Sequence, residues 1–230
     1  MKPFKFKQFS IEQSKDVFRV GTDGVLLGAL AHVEGVQNVL EVGTGTGLIS
    51  LMLAQRNPDA SFLGIDIQEE AVELTRTNFE NSPFRSRLYN QHQDFKAFLS
   101  DRKFDLIVSN PPYFEESDSI KDKIARQVVE LNFKQLINKA SQLLSEKGIL
   151  SVIIPFEVGI DWIKMTKEEG MNVTRKVNIR GIEGSKVKRL ILEFSFLERP
   201  LEEAEFIIEK SPRKYSDQYL ELTKEFHVFK

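Results

Sequence analysis

Leu40-Glu41-Val42-Gly43-Thr44-Gly45-Thr46-Gly47 sets three alternate glycines directly behind an apolar run and directly ahead of a helical one that begins at Leu48. Strand, glycine turn and helix in that order form the first unit of an α/β fold, and small residues in the turn let a ligand approach the backbone closely. Outward from this stretch the same rhythm continues. Short apolar runs over 39–42, 62–65, 104–108 and 149–154 read as buried strands, with a further strand over 87–89. The segments 48–55, 69–80 and 133–144 carry apolar residues at helical spacing between them, which predicts a parallel sheet with crossover helices. After Gly170 the pattern changes to two long β-rich stretches, 172–179 and 187–197, joined by a polar turn, which predicts a terminal antiparallel hairpin.

The glycine spacing is G-x-G-x-G, whereas the dinucleotide fingerprint is G-x-G-x-x-G and seats a pyrophosphate on the helix N-terminus. Glu41, two residues before Gly43, would repel phosphates and suits a cationic ligand. S-adenosylmethionine carries a sulfonium and an ammonium and no phosphate, so Glu41, Gly43, Gly45 and Gly47 are assigned to that cofactor. Asp66 and Ile67 close the next strand, where an acidic side chain accepts both ribose hydroxyls. Asp94 and Phe95 follow the third strand, where a carboxylate accepts from the adenine amine; Asp94 reads equally as a helix N-cap. A hairpin closing an otherwise parallel sheet also favours a methyltransferase over a dehydrogenase, which more often continues with βα units.

Strand 104–108 runs into Ser109-Asn110-Pro111-Pro112-Tyr113 at the carboxyl end of the sheet, where open α/β folds bind ligands. An exocyclic base amine is a poor nucleophile because its lone pair is delocalised into the ring. If the Asn110 side-chain oxygen and the Pro111 carbonyl accept its two hydrogens, the lone pair is aimed at the methyl group and the growing positive charge is stabilised. Two prolines stiffen the loop, and Tyr113 offers a flat face to the base, a contact of about 1–3 kcal/mol. The base must first leave its stack. Alone, the tetrapeptide reads equally as a rigid turn; the upstream glycine loop and Asp66 tip it toward chemistry.

The chain has 230 residues, 41% hydrophobic and 29% charged, enough for one core. The reading is a single domain over 1–230, with a lid segment 1–36, a catalytic core 37–197 and a C-terminal extension and helix over 198–230. There is no cysteine, which excludes disulfides, thiolate metal sites and cysteine nucleophiles. His32, His92 and His227 lack metal-like spacing, so no metal is expected. No run suggests a leader or a membrane span, which predicts a cytoplasmic protein; a monomer is expected. The formal net charge of -2 means that a nucleic acid must be held by local basic patches. The candidates are Lys5, Lys7, Lys15 and Arg19, near Phe4, Phe6 and Phe9; Lys186, Lys188 and Arg189; and Lys210, Arg213 and Lys214. Each reads equally as a solvated face. The charged stretch 115–129 reads as a flap over the base, Thr22-Asp23 as a helix cap, and Ser216 as the cap of a docked final helix.

Phe4-Lys5-Phe6-Lys7-Gln8-Phe9, the stretch from Val20-Gly21-Thr22-Asp23-Gly24 through Leu27-Gly28-Ala29, Asn110-Pro111-Pro112-Tyr113, Ile124-Ala125-Arg126 and Leu222-Thr223-Lys224-Glu225-Phe226 together resemble the bacterial tRNA1(Val) adenine-37 N6-methyltransferase family. Asp16-Val17-Phe18-Arg19 departs from the more basic or sulfur-containing stretch of relatives. The resemblance implies a class I Rossmann-like methyltransferase: a seven-stranded, mostly parallel sheet with an antiparallel C-terminal hairpin and helices on both faces. It implies the anticodon stem-loop of a tRNA as partner, adenine 37 as acceptor, and Thr22 and Asp23 beside the methionine end of the cofactor. The tetrapeptide is shared with glutamine N5-methyltransferases, so a protein glutamine acceptor is a second reading and a noncatalytic RNA-binding module a third.

Overall fold

A computed structural model describes residues 1–17, 19–112 and 133–227. Tyr113, Ile124-Ala125-Arg126 and the proposed flap over 115–129 lie outside the described residues, as does Phe18. The crossover units follow the sequence closely: β3 (Asn38–Val42), α2 (Leu48–Arg56), β4 (Ser61–Asp66), α3 (Glu69–Glu80), β5 (Leu88–His92) and β6 (Phe104–Ser109). A helix over 133–143, α4, leads into β7 (Leu144–Pro155), then α5 (Gly159–Glu168), β8 (Asn172–Ile182) and β9 (Val187–Ser195). Leu144 belongs to the strand rather than the helix, because it pairs with Phe104.

The central sheet runs in the order β5-β4-β3-β6-β7-β9-β8, with β9 antiparallel to both neighbours. These are the seven expected strands. The segment 198–230 then widens the sheet to nine: β10 (Glu202–Ser211) adds parallel to β8, and β11 (Lys214–Tyr215) adds antiparallel to β10. The sequence hides β10 because its first residues are acidic and exposed. They are held by cations across the ladder, Glu203 to Lys176 at 2.8 Å and Glu205 to Arg180 at 3.0 Å, so charge pairing replaces the apolar alternation that usually marks a strand.

Apolar residues of the strands alternate between two buried clusters, one on each face. Val39, Leu106, Val108 and Ile153 meet α1 (Thr22–Leu30), α2 and the C-terminal α6 (Asp217–Thr223), while Leu40, Ile107, Val152 and Ile154 meet α4 and α5. The short hairpin of β1 (Phe4–Lys5) and β2 (Ser10–Ile11) packs on the first cluster, with Phe6 and Phe9 5% exposed and their rings stacked at 4.6 Å. Phe6 also stacks on His227 at 5.4 Å, and the Lys7 amide donates to the Phe226 carbonyl at 2.8 Å. Phe6 and Phe9 are therefore core residues that join the two ends of the chain, and they offer no free face to a base.

Gly24 and Gly28 fall one turn apart on α1. A Cβ at Gly28 would lie 2.8 Å from the Met52 Cβ, and one at Gly24 would lie 3.1 Å from Leu48. Hydrogen at these two positions lets α1 press against α2 at the point where α2 leaves the glycine loop. Thr22 and Asp23 do not cap this helix. Gly21, in extended conformation, is the N-cap, and the two residues form the first turn; the Asp23 carboxylate is engaged by Arg189 at 3.0 Å.

Candidate cofactor and acceptor site

Register brings the site together. Val42 pairs with Ile65 on one side and with Ser109 on the other, so Gly43, Asp66 and Asn110 leave three adjacent strands at one level on the carboxyl edge. The Ser109 hydroxyl donates to the Val42 carbonyl at 2.9 Å and fastens the two middle strands at that line. Asp66 is level with His92, and the Gln93 amide donates to the Asp66 carbonyl at 2.8 Å, which brings the Asp94 turn to the same edge.

The three glycines of the loop have φ of 73°, 55° and 78°, at Gly43, Gly45 and Gly47, a region that side-chain-bearing residues rarely adopt. Gly47 is also closed to a side chain, since a Cβ there would lie 2.6 Å from the Phe79 ring. At Gly43 and Gly45 an added Cβ would meet nothing within 4 Å, so the loop is open on that side. Its other side is braced. Thr75 donates its hydroxyl to the Gly45 carbonyl at 2.8 Å, and Asn78 donates to the Thr46 carbonyl at 2.9 Å. Asn78 also accepts from the Glu12 amide at 2.7 Å and donates to the Glu12 carbonyl at 3.2 Å, tying the segment before α1 to the loop.

Glu41 is 1% exposed beneath the loop. One carboxylate oxygen accepts from the Ser50 amide at 3.0 Å, from the Thr44 hydroxyl at 3.2 Å and from the Ser50 hydroxyl. Burial outweighs these bonds and pushes its pKa up to about 7. The Glu41 carboxylate is thus closed off from the surface and reaches the loop through Thr44. Asp66 divides its carboxylate between the Gly45 amide and the Gln68 amide, both at 3.0 Å. Ile67 follows with 63% of its surface exposed, an apolar side chain beside the acid. Asp94 accepts from the Lys96 amide at 2.9 Å and caps a short helical turn, as its N-cap reading expected, while Phe95 packs partly buried on the core.

Asn110 differs from all of these. Its side-chain oxygen is buried and has no hydrogen-bond partner, a condition that costs roughly 1–3 kcal/mol and calls for an explanation. Pro111 is buried and Pro112 exposed. The open face at Gly43 and Gly45, the braced carboxylate of Asp66 and this unused acceptor fit a cofactor that lies across the loop and a donor that approaches Asn110.

Thr75 and Asn78 were missed in the sequence. The signal that marks them is a pair of polar residues at i and i+3 on the helix face that also carries Val72 and Phe79. Both are buried, at 0% and 1% exposure. A groove lined by Lys167, Met171, Arg199 and Leu201 opens where β8 begins, at the opposite edge of the sheet from this chemistry. Among the described residues no helix is long and apolar enough to cross a membrane, and no group of three potential metal ligands forms.

The Methyltransferase small domain family matches residues 13–168. Among solved structures, a predicted O-methyltransferase from Agrobacterium tumefaciens superposes with a TM-score of 0.69 at 18% identity, over 89% of this chain and 96% of its own. A methyltransferase from Pyrococcus furiosus gives 0.63 at 19%, over 82% and 90%; at such identities the likeness speaks for the class I methyltransferase fold. Among sequences, a tRNA1(Val) (adenine(37)-N6)-methyltransferase of Flavobacteriaceae bacterium (strain 3519-10) is 50% identical over the full length of both chains. A protein of the same name from Bacteroides thetaiotaomicron is 39% identical over 98% of this chain and 97% of its own. The chain therefore belongs to the Methyltransferase small domain family, among relatives named tRNA1(Val) (adenine(37)-N6)-methyltransferases.

Proposed function

We infer that this protein transfers a methyl group from S-adenosylmethionine to N6 of adenine 37 in tRNA1(Val). The observation that carries the reading is the buried, unpartnered side-chain oxygen of Asn110 beside an open glycine loop, in a chain 50% identical to a relative of that name. When bound, the cofactor supplies the methyl group as an activated sulfonium. The chain's own residues do the rest. Asp66, Ile67 and the loop glycines hold the ribose and the backbone-facing side of the cofactor, and Asp94 and Phe95 border its adenine. Glu41 places a buried carboxyl beneath the loop that becomes negative only as pH rises through about 7, with Thr22 and Asp23 near the methionine end. The Asn110 side-chain oxygen and the Pro111 carbonyl accept hydrogen bonds from the two N–H groups of the target amine, and the proton that the methylated nitrogen sheds passes to solvent. Pro112 stiffens that loop, and Tyr113 is assigned to the face of the base.

Acceptors placed for a positively charged nitrogen favour the transition state over the flat ground-state amine, and no strong base is required. The reading predicts N6-methyladenosine at position 37 when the protein is incubated with labelled cofactor and tRNA1(Val) transcript, followed by nucleoside mass spectrometry. Label on a glutamine side chain, or none in RNA, would sink it.

A further inference from the structure

The antiparallel strand β9 and the added strands β10, parallel to β8, and β11, antiparallel to β10, decide what reaches the carboxyl edge of the sheet. The turn between β8 and β9 and the turn between β10 and β11 both emerge on the edge that carries Asn110. They are joined, since Ile182 pairs with Glu209 and the Glu183 amide donates to the Glu209 carbonyl at 3.1 Å. Lys186, Lys188, Lys210, Arg213 and Lys214 are all exposed on this pair of turns. Deeper in the sheet the cations of β8 are matched by acids of β10, Lys176 by Glu203 and Arg180 by Glu205.

Toward the edge the matching fades. Lys210 reaches Asp217 only at 3.5 Å, on a carboxylate 91% exposed. Glu209 spends an oxygen on the Arg213 amide at 3.2 Å, and Glu183 is the remaining acid of the two turns. Beside them the Tyr215 ring is 44% exposed and stacked on Tyr219 at 4.4 Å.

Arg213 has φ of 64°, and no other described residue except glycine has a positive φ. It follows Pro212 in a two-residue turn between the paired Ser211 and Lys214, a position that favours glycine or asparagine. A cation held there against backbone preference points to a ligand. β10 lies four strands from β6, which places the rim on the order of 20 Å from Asn110 at the usual strand spacing. That is the scale on which the stem flanking a target loop presents its phosphates.

We propose that the two turns form a basic rim, centred on Arg213 and Lys214, that holds stem phosphates of the tRNA while the target base enters at Asn110. The proposal rests on the tRNA reading above and deepens it. The test is titration of labelled tRNA1(Val) across a salt series with the full chain and with Arg213→Gly/Lys214→Ala. Glycine relieves the φ, so the variant's Tm should not fall. Expected are a roughly tenfold weaker Kd and a salt slope smaller by about two, the loss of two phosphate contacts. KM for tRNA should rise with kcat at saturation unchanged. A variant with the parent's Kd and salt slope overturns the rim. If the parent methylates tRNA while the variant is unaffected, the rim fails and the function stands. If the parent binds tRNA with the expected slope change but places no methyl on adenine, the rim stands and the function fails.

Discussion

The glycine loop and the Asn110 loop leave neighbouring strands at the same level, yet their polar groups are treated in opposite ways. Every bracing group around the first is satisfied within the protein: the Gly45 and Thr46 carbonyls by Thr75 and Asn78, the Gly45 amide by Asp66, and the Glu41 carboxylate by Thr44 and Ser50. The second keeps a buried acceptor without a donor. A surface that only has to bind can be finished by its own chain. A surface that must favour a transition state gains by leaving a strong acceptor to be satisfied by the substrate, because the interaction is then made where charge develops.

The contrast can be broken most directly at Asn110. Asn110→Ala should lower kcat by about 10²–10³-fold, with cofactor affinity by calorimetry within about threefold of the parent. Equal loss of both would show that the loop is structural. The glycine loop should respond in the opposite sense. Gly47→Ala meets both a φ of 78° and the Phe79 ring, and should cost about 2–3 kcal/mol of unfolding free energy in denaturant titration. Gly43→Ala meets only the φ and should cost about 1–2 kcal/mol. Equal losses at the two positions would mean that the Phe79 contact contributes nothing.

Glu41 should add a pH slope to stability, an effect of the same order as that at Gly47. Its pKa in the fold is raised from 4.5 to about 7, so the folded protein holds a proton that the unfolded chain has released. This contribution to stability is fully present below about 4.5 and is lost as pH rises through about 7. The buried carboxylate then costs on the order of 3 kcal/mol at most. Glu41→Gln should remove this slope, so that variant and parent diverge in Tm between pH 5 and pH 8, with the variant gaining relative to the parent at the higher pH. Parallel Tm curves would show that Glu41 keeps its charge in the fold without penalty.

Much of the site was legible because its geometry can be met by few residues. Three positive φ values require glycine, and they stand in the sequence at alternate positions. Helix α3 was read to its exact bounds from the spacing of its apolar residues. What supports the loop was not legible. Thr75 and Asn78 are ordinary helix residues until a sheet places a loop above them, and their hydrogen bonds span 30 and 32 positions of chain. Strand β10 was hidden because cross-strand ion pairs took the place of an apolar face. The aromatic residues at the start of the chain stand beside lysines that read as candidate RNA contacts; the partners of Phe6 and Lys7, His227 and Phe226, lie at the far end of the sequence.

The shared level of Val42, Ile65 and Ser109 has one further consequence. The strands below that line hold the fold, and the first residue above it on each strand is a candidate site residue, so the two are separable along the chain. Asn110 can be exchanged without disturbing an apolar core contact, whereas Gly43 is fixed by its positive φ and Asp66 by its bond to the Gly45 amide; a single residue inserted below the line would turn the next side chain to the opposite face of the sheet and remove it from the site.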